Sequence, residues 1–159
     1  MRKRLWSFIP IVGITGILNG CGGGAVSSSS SRLDPAEKVT VSLIENGFVL
    51  YQRDKLKPLV TSNININSGP SSESKIAPGN AWLASVSDGP NGETVYVYLS
   101  PQMVSGDQLM KYGTVKQGTN WLVHNWNSIN VPQLSFSDFQ KSPEYQSIGI
   151  THWTEVKIE

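Results

Sequence analysis

Between Glu93 and Ser100, Val95, Val97 and Leu99 alternate with Tyr96 and Tyr98. That is a period of two built from β-forming residues, and it predicts a strand. The stretch Ala81 to Ser87 predicts a second strand, with Trp82, Ala84 and Val86 on one face. The connector Asp88-Gly89-Pro90-Asn91-Gly92 is dense in turn residues, so the two strands read as a hairpin. Upstream, Lys38 to Ile44 also alternates, with Val39, Val41 and Leu43 against Lys38, Thr40 and Ser42. Gly47 to Gln52 would be its partner, joined through Glu45-Asn46-Gly47, because Asn-Gly favours a tight hairpin turn. Leu59 to Asn67 predicts a further strand or two, Asn120 to Trp126 another, and Ile148 to Ile158 a closing strand with Thr154, Val156 and Ile158 on one face. Helical signal is thin. Ser105 to Tyr112 reads as about two turns between an N-cap serine and Gly113. Ser135 to Lys141 reads as another, ended by Pro143. The pattern predicts a mostly-β domain, a small antiparallel sandwich or partly open barrel with one or two short helices.

The first 20 residues follow a different rule. Arg2, Lys3 and Arg4 precede a mostly apolar run from Leu5 to Leu18, interrupted by Pro10, Gly13 and Gly16. The run is shorter than the roughly 20 apolar residues of a bilayer-spanning helix. A cationic start and a short apolar run form the pattern of an export signal. The run ends in Leu18-Asn19-Gly20-Cys21. This resembles the lipobox of bacterial lipoproteins: an aliphatic residue, a small or polar one, a small one, then cysteine. Asn19 is a less usual occupant of its position. The resemblance implies diacylglycerol on the Cys21 sulfur, cleavage between Gly20 and Cys21, and acylation of the new amine. Each buried methylene contributes roughly 0.8 kcal/mol, so two or three chains form a durable membrane anchor. Residues 1–20 are then a signal peptide and 21–34 a lipidated tether rich in Gly and Ser, leaving 35–159 as a single β-rich domain. Gly22 rather than Asp follows the cysteine. By the same resemblance this favours sorting to the outer membrane, with the domain facing the periplasm.

Composition agrees with an exported domain. Charged residues are 16% of the chain and apolar residues 38%, and Ser, Asn, Gly, Thr and Gln fill the difference. Without the three N-terminal cations, ten basic residues stand against twelve acidic, a body charge near −2. No basic run exists to track a phosphate backbone, which argues against nucleic acid as a partner. Cys21 is the only cysteine, so an intramolecular disulfide is excluded and a cysteine-based metal site is disfavoured.

Candidate chemistry is sparse. His124 and His152 lack the spacing of a zinc motif, so no metal ligands and no cofactor beyond the covalent lipid are expected. Asp138, His124 and a loop serine would be the members of a catalytic triad, but no Gly-x-Ser-x-Gly elbow supports one, and no catalytic residue is assigned. Glycines 22–24 precede every predicted strand and are no phosphate loop. The aromatics are the enriched feature. If Val95, Val97 and Leu99 face the core, Tyr96 and Tyr98 face outward, and with Trp153 they are the candidates for a binding surface. The competing reading covers the sheet on both faces and makes them core or rim.

The segment Ile64-Asn65-Ile66-Asn67-Ser68-Gly69-Pro70-Ser71 resembles the opening of bacterial SH3-like domains. Asn67 stands where that family usually has Arg, and the family's Gly-Trp ending is missing after Leu99. The resemblance implies a small barrel that binds peptidoglycan or another wall component. The leading expectation is instead a non-enzymatic envelope lipoprotein. Its domain would bind a protein partner as an accessory or assembly factor of a secretion, pilus or conjugation apparatus.

Overall fold

The computed structural model describes residues 33–66 and 75–159. The mostly-β expectation holds, as one open antiparallel sheet of five strands rather than two packed sheets. The strands are β1 (Gly79–Ser87), β2 (Gly92–Leu99), β3 (Leu109–Gln117), β4 (Asn120–Ile129) and β5 (Thr154–Ile158). Their order across the sheet is β4-β3-β2-β1-β5. The predicted hairpin is β1–β2, with Ala81 opposite Leu99 and Ser87 opposite Glu93. The closing strand is β5, and it buries Val156 and Ile158 as its alternation requires.

The first predicted hairpin is replaced by a helix. Helix α1 spans Pro35–Ile44 and continues as a π-helical turn over Glu45–Val49. The stronger signal lies at its start. Asp34 is the N-cap, Pro35 fills the first turn, and Glu37 closes a capping box. The Asp34 Oδ1 accepts from the Glu37 N–H at 2.8 Å, and Glu37 Oε2 accepts from the Asp34 N–H at 3.2 Å. Ala36, Val39, Thr40, Leu43 and Ile44 are buried, which is helical spacing. The Val39-Val41-Leu43 alternation is incidental to it. The Asn-Gly pair makes no hairpin turn: Asn46 Nδ2 donates to the Ser42 carbonyl, and Gly47 packs against Leu56. Leu33 is buried in the core, so the folded part begins inside the stretch read as tether.

Two more predictions change. Residues 105–112 form a loop that runs into β3, not a helix. Gly113, read as a helix stop, lies inside β3 beside a β-bulge. A Cβ there would sit 2.5 Å from Asn125 Oδ1 and 2.8 Å from His124 Nε2, so any larger residue would have to displace both side chains. Leu59 to Asn67 yields only one bridge, Val60 to Val123, as far as it is described, followed by a turn. The SH3-like segment therefore lacks its expected opening strand, and its residues 67–71 lie outside the described part.

The helix predicted at 135–141 is present as α2 (Phe136–Phe139). Pro143 does not merely end it but opens α3 (Pro143–Ile148), capped by Ser142 and ended by Gly149 at φ +71°. Helix α1 covers one face of the sheet, where Val95, Val97, Leu99, Leu83 and Tyr112 join its apolar side. The α2–α3 segment covers part of the other face, over Tyr98 and Leu109.

Candidate functional site

A cleft of about 450 Å³ opens on the α1 face, at the end of the sheet where α1 gives way to its π-helical turn. Three segments build it. The π-helical turn brings Phe48, buried except for 7% of its surface. Residues 75–77 are tied between that turn and the loop after β2. The Ile76 N–H donates to the Phe48 carbonyl at 3.0 Å, and the Ala77 N–H to the Met103 carbonyl at 2.8 Å. The third segment is the paired ends of β3 and β4, which supply Met110 and Trp126. Phe48 and Trp126 meet edge to face, ring centres 6.2 Å apart. Leu99, fully buried, belongs to the lining together with Ile76 and Val104. The rim is polar: Lys75, Ser105, Asp107, Asn127 and Ser128 are all exposed. An apolar interior with a few polar groups at its mouth is the usual make-up of a binding cleft in this size range.

The backbone beside the cleft is strained. Tyr51 holds φ +56°, a left-handed conformation that an aromatic residue rarely adopts. Its hydroxyl and the amide oxygen of Gln52 are buried without a hydrogen-bond partner among the described residues. Lys75 Nζ stands 6.0 Å from the Tyr51 ring centre, a cation–π contact at the cleft rim. A shallower depression of about 730 Å³ shares Lys75, Val104 and Ser105 with the cleft and extends past Pro101 and Gln133.

The residues singled out from sequence are elsewhere. Gly20 and Cys21 lie outside the described residues. Tyr96 and Tyr98 do share a face, but they form no exposed pair. Tyr98 is fully buried under α2, where its ring stacks on Phe139 at 4.2 Å and its hydroxyl donates to the Leu134 carbonyl at 2.9 Å. Burial pushes that phenol up to about 12, reinforced by the Asp138 charge, so it stays a donor. Tyr96 is half-buried, with Lys111 Nζ 5.8 Å from its ring centre. Trp153 is half-buried in the layer formed by Phe136, Phe139 and Tyr145, and its Nε1 donates to the Ile150 carbonyl. The reading in which the sheet is covered on both faces applies to Tyr98 and Trp153.

His124 is the extra residue of the β4 bulge, since Gly113 pairs with Asn125 and Thr114 with Val123. Its Nδ1 lies 3.0 Å from Asn125 Nδ2, which fixes it as the acceptor. Asp138 is bonded to Ser135 and Lys141, not to His124. His152 is exposed. No group of three or more His, Cys, Asp or Glu could hold a metal among the described residues. The cleft is not legible in the sequence, in part because two of its walls come from segments whose local pattern suggests a different element. The sequence pattern suggests a strand at Phe48 and a helix at Met110, where the structure has a π-helical turn and a strand. Trp126 is the one visible signal, a large aromatic at the end of a predicted strand.

A set of carboxylates lies at the other end of α1. Asp34 Oδ2 accepts from Ser85 Oγ at 2.7 Å, and Asp88 Oδ2 accepts from Thr94 Oγ1 at 2.6 Å. Burial raises the Glu37 carboxyl above its ordinary range, and the nearby Asp34 charge adds to it. Glu93 is raised by burial, then by Asp34 and Asp88, and its Oε2 has no hydrogen-bond partner among the described residues. Burial also raises Glu45. A carboxyl with a higher pKa folded than unfolded binds more protons in the folded state, so stability grows as pH falls through the raised value. Asp138 and Glu159 shift the opposite way, but both are fully exposed and weigh little. We therefore expect the denaturation midpoint to rise from about pH 7 to about pH 5. The Glu93→Gln variant should show a smaller rise. A midpoint that falls over this interval contradicts the assignment.

No protein-family model matches the chain, and no curated protein or solved structure is similar to it beyond chance.

Proposed function

We propose that this chain is a lipid-anchored envelope protein, non-enzymatic, whose β-domain captures a protein partner in the cleft between the π-helical turn and the ends of β3 and β4. The observation that carries the binding half is the cleft itself: about 450 Å³, with Phe48, Leu99, Met110 and Trp126 among its lining residues and Lys75 and Asp107 at the rim. An apolar pocket with both charge signs at its mouth suits an apolar side chain flanked by polar backbone. The strain at Tyr51 supports the same location, because such strain tends to be kept where a site needs it. The anchoring half rests on Leu18-Asn19-Gly20-Cys21 and the glycine and serine residues after it. In this reading the lipid sits in the outer membrane and the domain faces the periplasm. The partner belongs to an envelope apparatus for secretion, pilus assembly or conjugation. No helix among the described residues is long and apolar enough to cross a membrane.

The test is fractionation with mass spectrometry in a Gram-negative host. The mature protein should lack residues 1–20, carry acyl groups on Cys21 and sediment with outer membranes. Cys21→Ser should abolish the lipid mass and move the protein out of the membrane fraction. A wild-type chain that retains residues 1–20 or carries no lipid defeats the anchor. Retention on purified peptidoglycan that is lost when Val104→Lys fills the cleft would assign the cleft to the wall instead.

A further inference from the structure

The partner's conformation is written in the edge of the sheet beside the cleft. Strand β4 is an edge strand, and its outer side is divided by the His124 bulge. Before the bulge, the chain covers its own edge. The Thr61 N–H donates to the Val123 carbonyl at 3.0 Å, and the Val123 N–H donates to the Leu59 carbonyl at 2.9 Å. This short pairing is parallel. It shows that the backbone groups of Val123 point away from β3.

Beyond the bulge the direction of each backbone group follows from the ladder. The Leu99 N–H donates to the Gln108 carbonyl, and the Lys116 N–H to the Asn91 carbonyl. Alternation along β3 then turns the backbone groups of Met110, Tyr112 and Thr114 toward β2. Met110 faces Ser128 and Tyr112 faces Trp126. Those two pairs are therefore the non-hydrogen-bonded ones, and the N–H and C=O of Trp126 and Ser128 point outward. No described residue bonds them. Both residues also line the cleft.

The two edges of the sheet are protected differently. At β5, Glu155, Lys157 and the following Glu159 put charges along the strand, a common defence against pairing with another chain. From Asn120 to Ile129, β4 carries no Lys, Arg, Asp, Glu or Pro. The part of β4 that no described residue covers is thus open to a further strand. A second copy of this edge is a poor occupant. A symmetric pair needs a self-complementary patch, and two concave clefts brought together leave a void. Residues 125–130 offer only Trp126 and Ile129 as apolar groups, and Trp126 is already a wall of the cleft.

The geometry points to β-strand addition: an extended segment of the partner protein pairs with Trp126 and Ser128 and seats a bulky apolar side chain in the cleft. This rests on the partner-binding role proposed above and specifies how the partner is held. Backbone bonds supply register, and the pocket supplies side-chain selectivity.

The test uses the full chain in detergent as bait for a displayed library of short random peptides. Selected peptides should share one bulky apolar position within a β-prone sequence. Added to the wild-type chain, such a peptide should slow hydrogen exchange at the Trp126 and Ser128 amides. Ser128→Pro removes an outward N–H that serves no internal bond, so the fold should tolerate it. It should weaken peptide binding about tenfold or more, while Ser128→Ala, which keeps the N–H, should bind as wild type. Binding that leaves both amides unprotected overturns strand addition but leaves the cleft as a site. Binding that Ser128→Pro does not weaken has the same meaning. If no peptide is enriched, both readings fall. A concentration-dependent dimer of the wild-type chain that Ser128→Pro abolishes assigns the edge to a second copy and overturns the proposal.

Discussion

The Phe139→Ala variant is expected to lose about 4 kcal/mol of stability, the cost of truncating a fully enclosed aromatic. Phe139 has no exposed surface. Its ring stacks on Tyr98 at 4.2 Å and an interplanar angle of 16°, and meets Tyr145 and Trp153 edge-on. It joins the sheet to its C-terminal cover. Helix α2 has four residues and α3 has six, too few for either to persist without packing. Removing the ring therefore leaves a cavity over Tyr98 and also releases the segment that would have to collapse into it. Urea denaturation followed by tryptophan fluorescence measures the loss, since Trp82 and Trp153 both flank this layer. A loss below about 1 kcal/mol would show that the cover adds little to the fold.

The legible parts of this fold were those in which one local signal spoke alone. The β1–β2 hairpin combined alternation with a five-residue connector dense in turn residues, and the structure pairs the two strands across that connector. At residues 35–49 two signals competed. Alternating Val39, Val41 and Leu43 suggest a strand, but Asp34-Pro35 with Glu37 is a helix start, and Ala36, Val39, Thr40, Leu43 and Ile44 are buried at helical spacing. Gly113 shows a different limit. A glycine after eight residues of mixed pattern looks like a helix stop, and only the approach of Asn125 and His124 explains it as part of a strand. The cleft was illegible for a related reason. Its walls converge from residues 48, 76, 99, 110 and 126, and no local pattern encodes that meeting. The lipid anchor proposed at Cys21 is the opposite kind of reading, one that rests on a short motif and asks nothing of the fold.

Gln108→Leu is expected to cost about 3 kcal/mol although it replaces a polar side chain with an apolar one of similar size. Gln108 is fully buried, and each end of its amide is used. Its Nε2 donates to the Leu99 carbonyl at 2.8 Å and to the Leu134 carbonyl at 3.2 Å. Its Oε1 accepts from the Leu134 N–H at 2.7 Å and lies 3.3 Å from the Tyr98 hydroxyl. The side chain thus stands in for a strand, presenting a donor and an acceptor to a segment that has no sheet partner of its own. Leucine would leave the Leu134 N–H and the Leu99 carbonyl without their bonds in a dry site. Tyr98 would still hold the Leu134 carbonyl, which limits the loss. Each stranded buried group costs roughly 1–3 kcal/mol, so transfer of the leucine into the core does not offset the damage. Because Phe139 and Gln108 both fasten the C-terminal cover, the double variant should lose less than the two single losses combined. Strict additivity would mean that the aromatic stack and the amide network hold the cover independently. A Gln108→Leu protein as stable as wild type would mean that water replaces the amide, and that the sheet does not need this link to keep its second face closed.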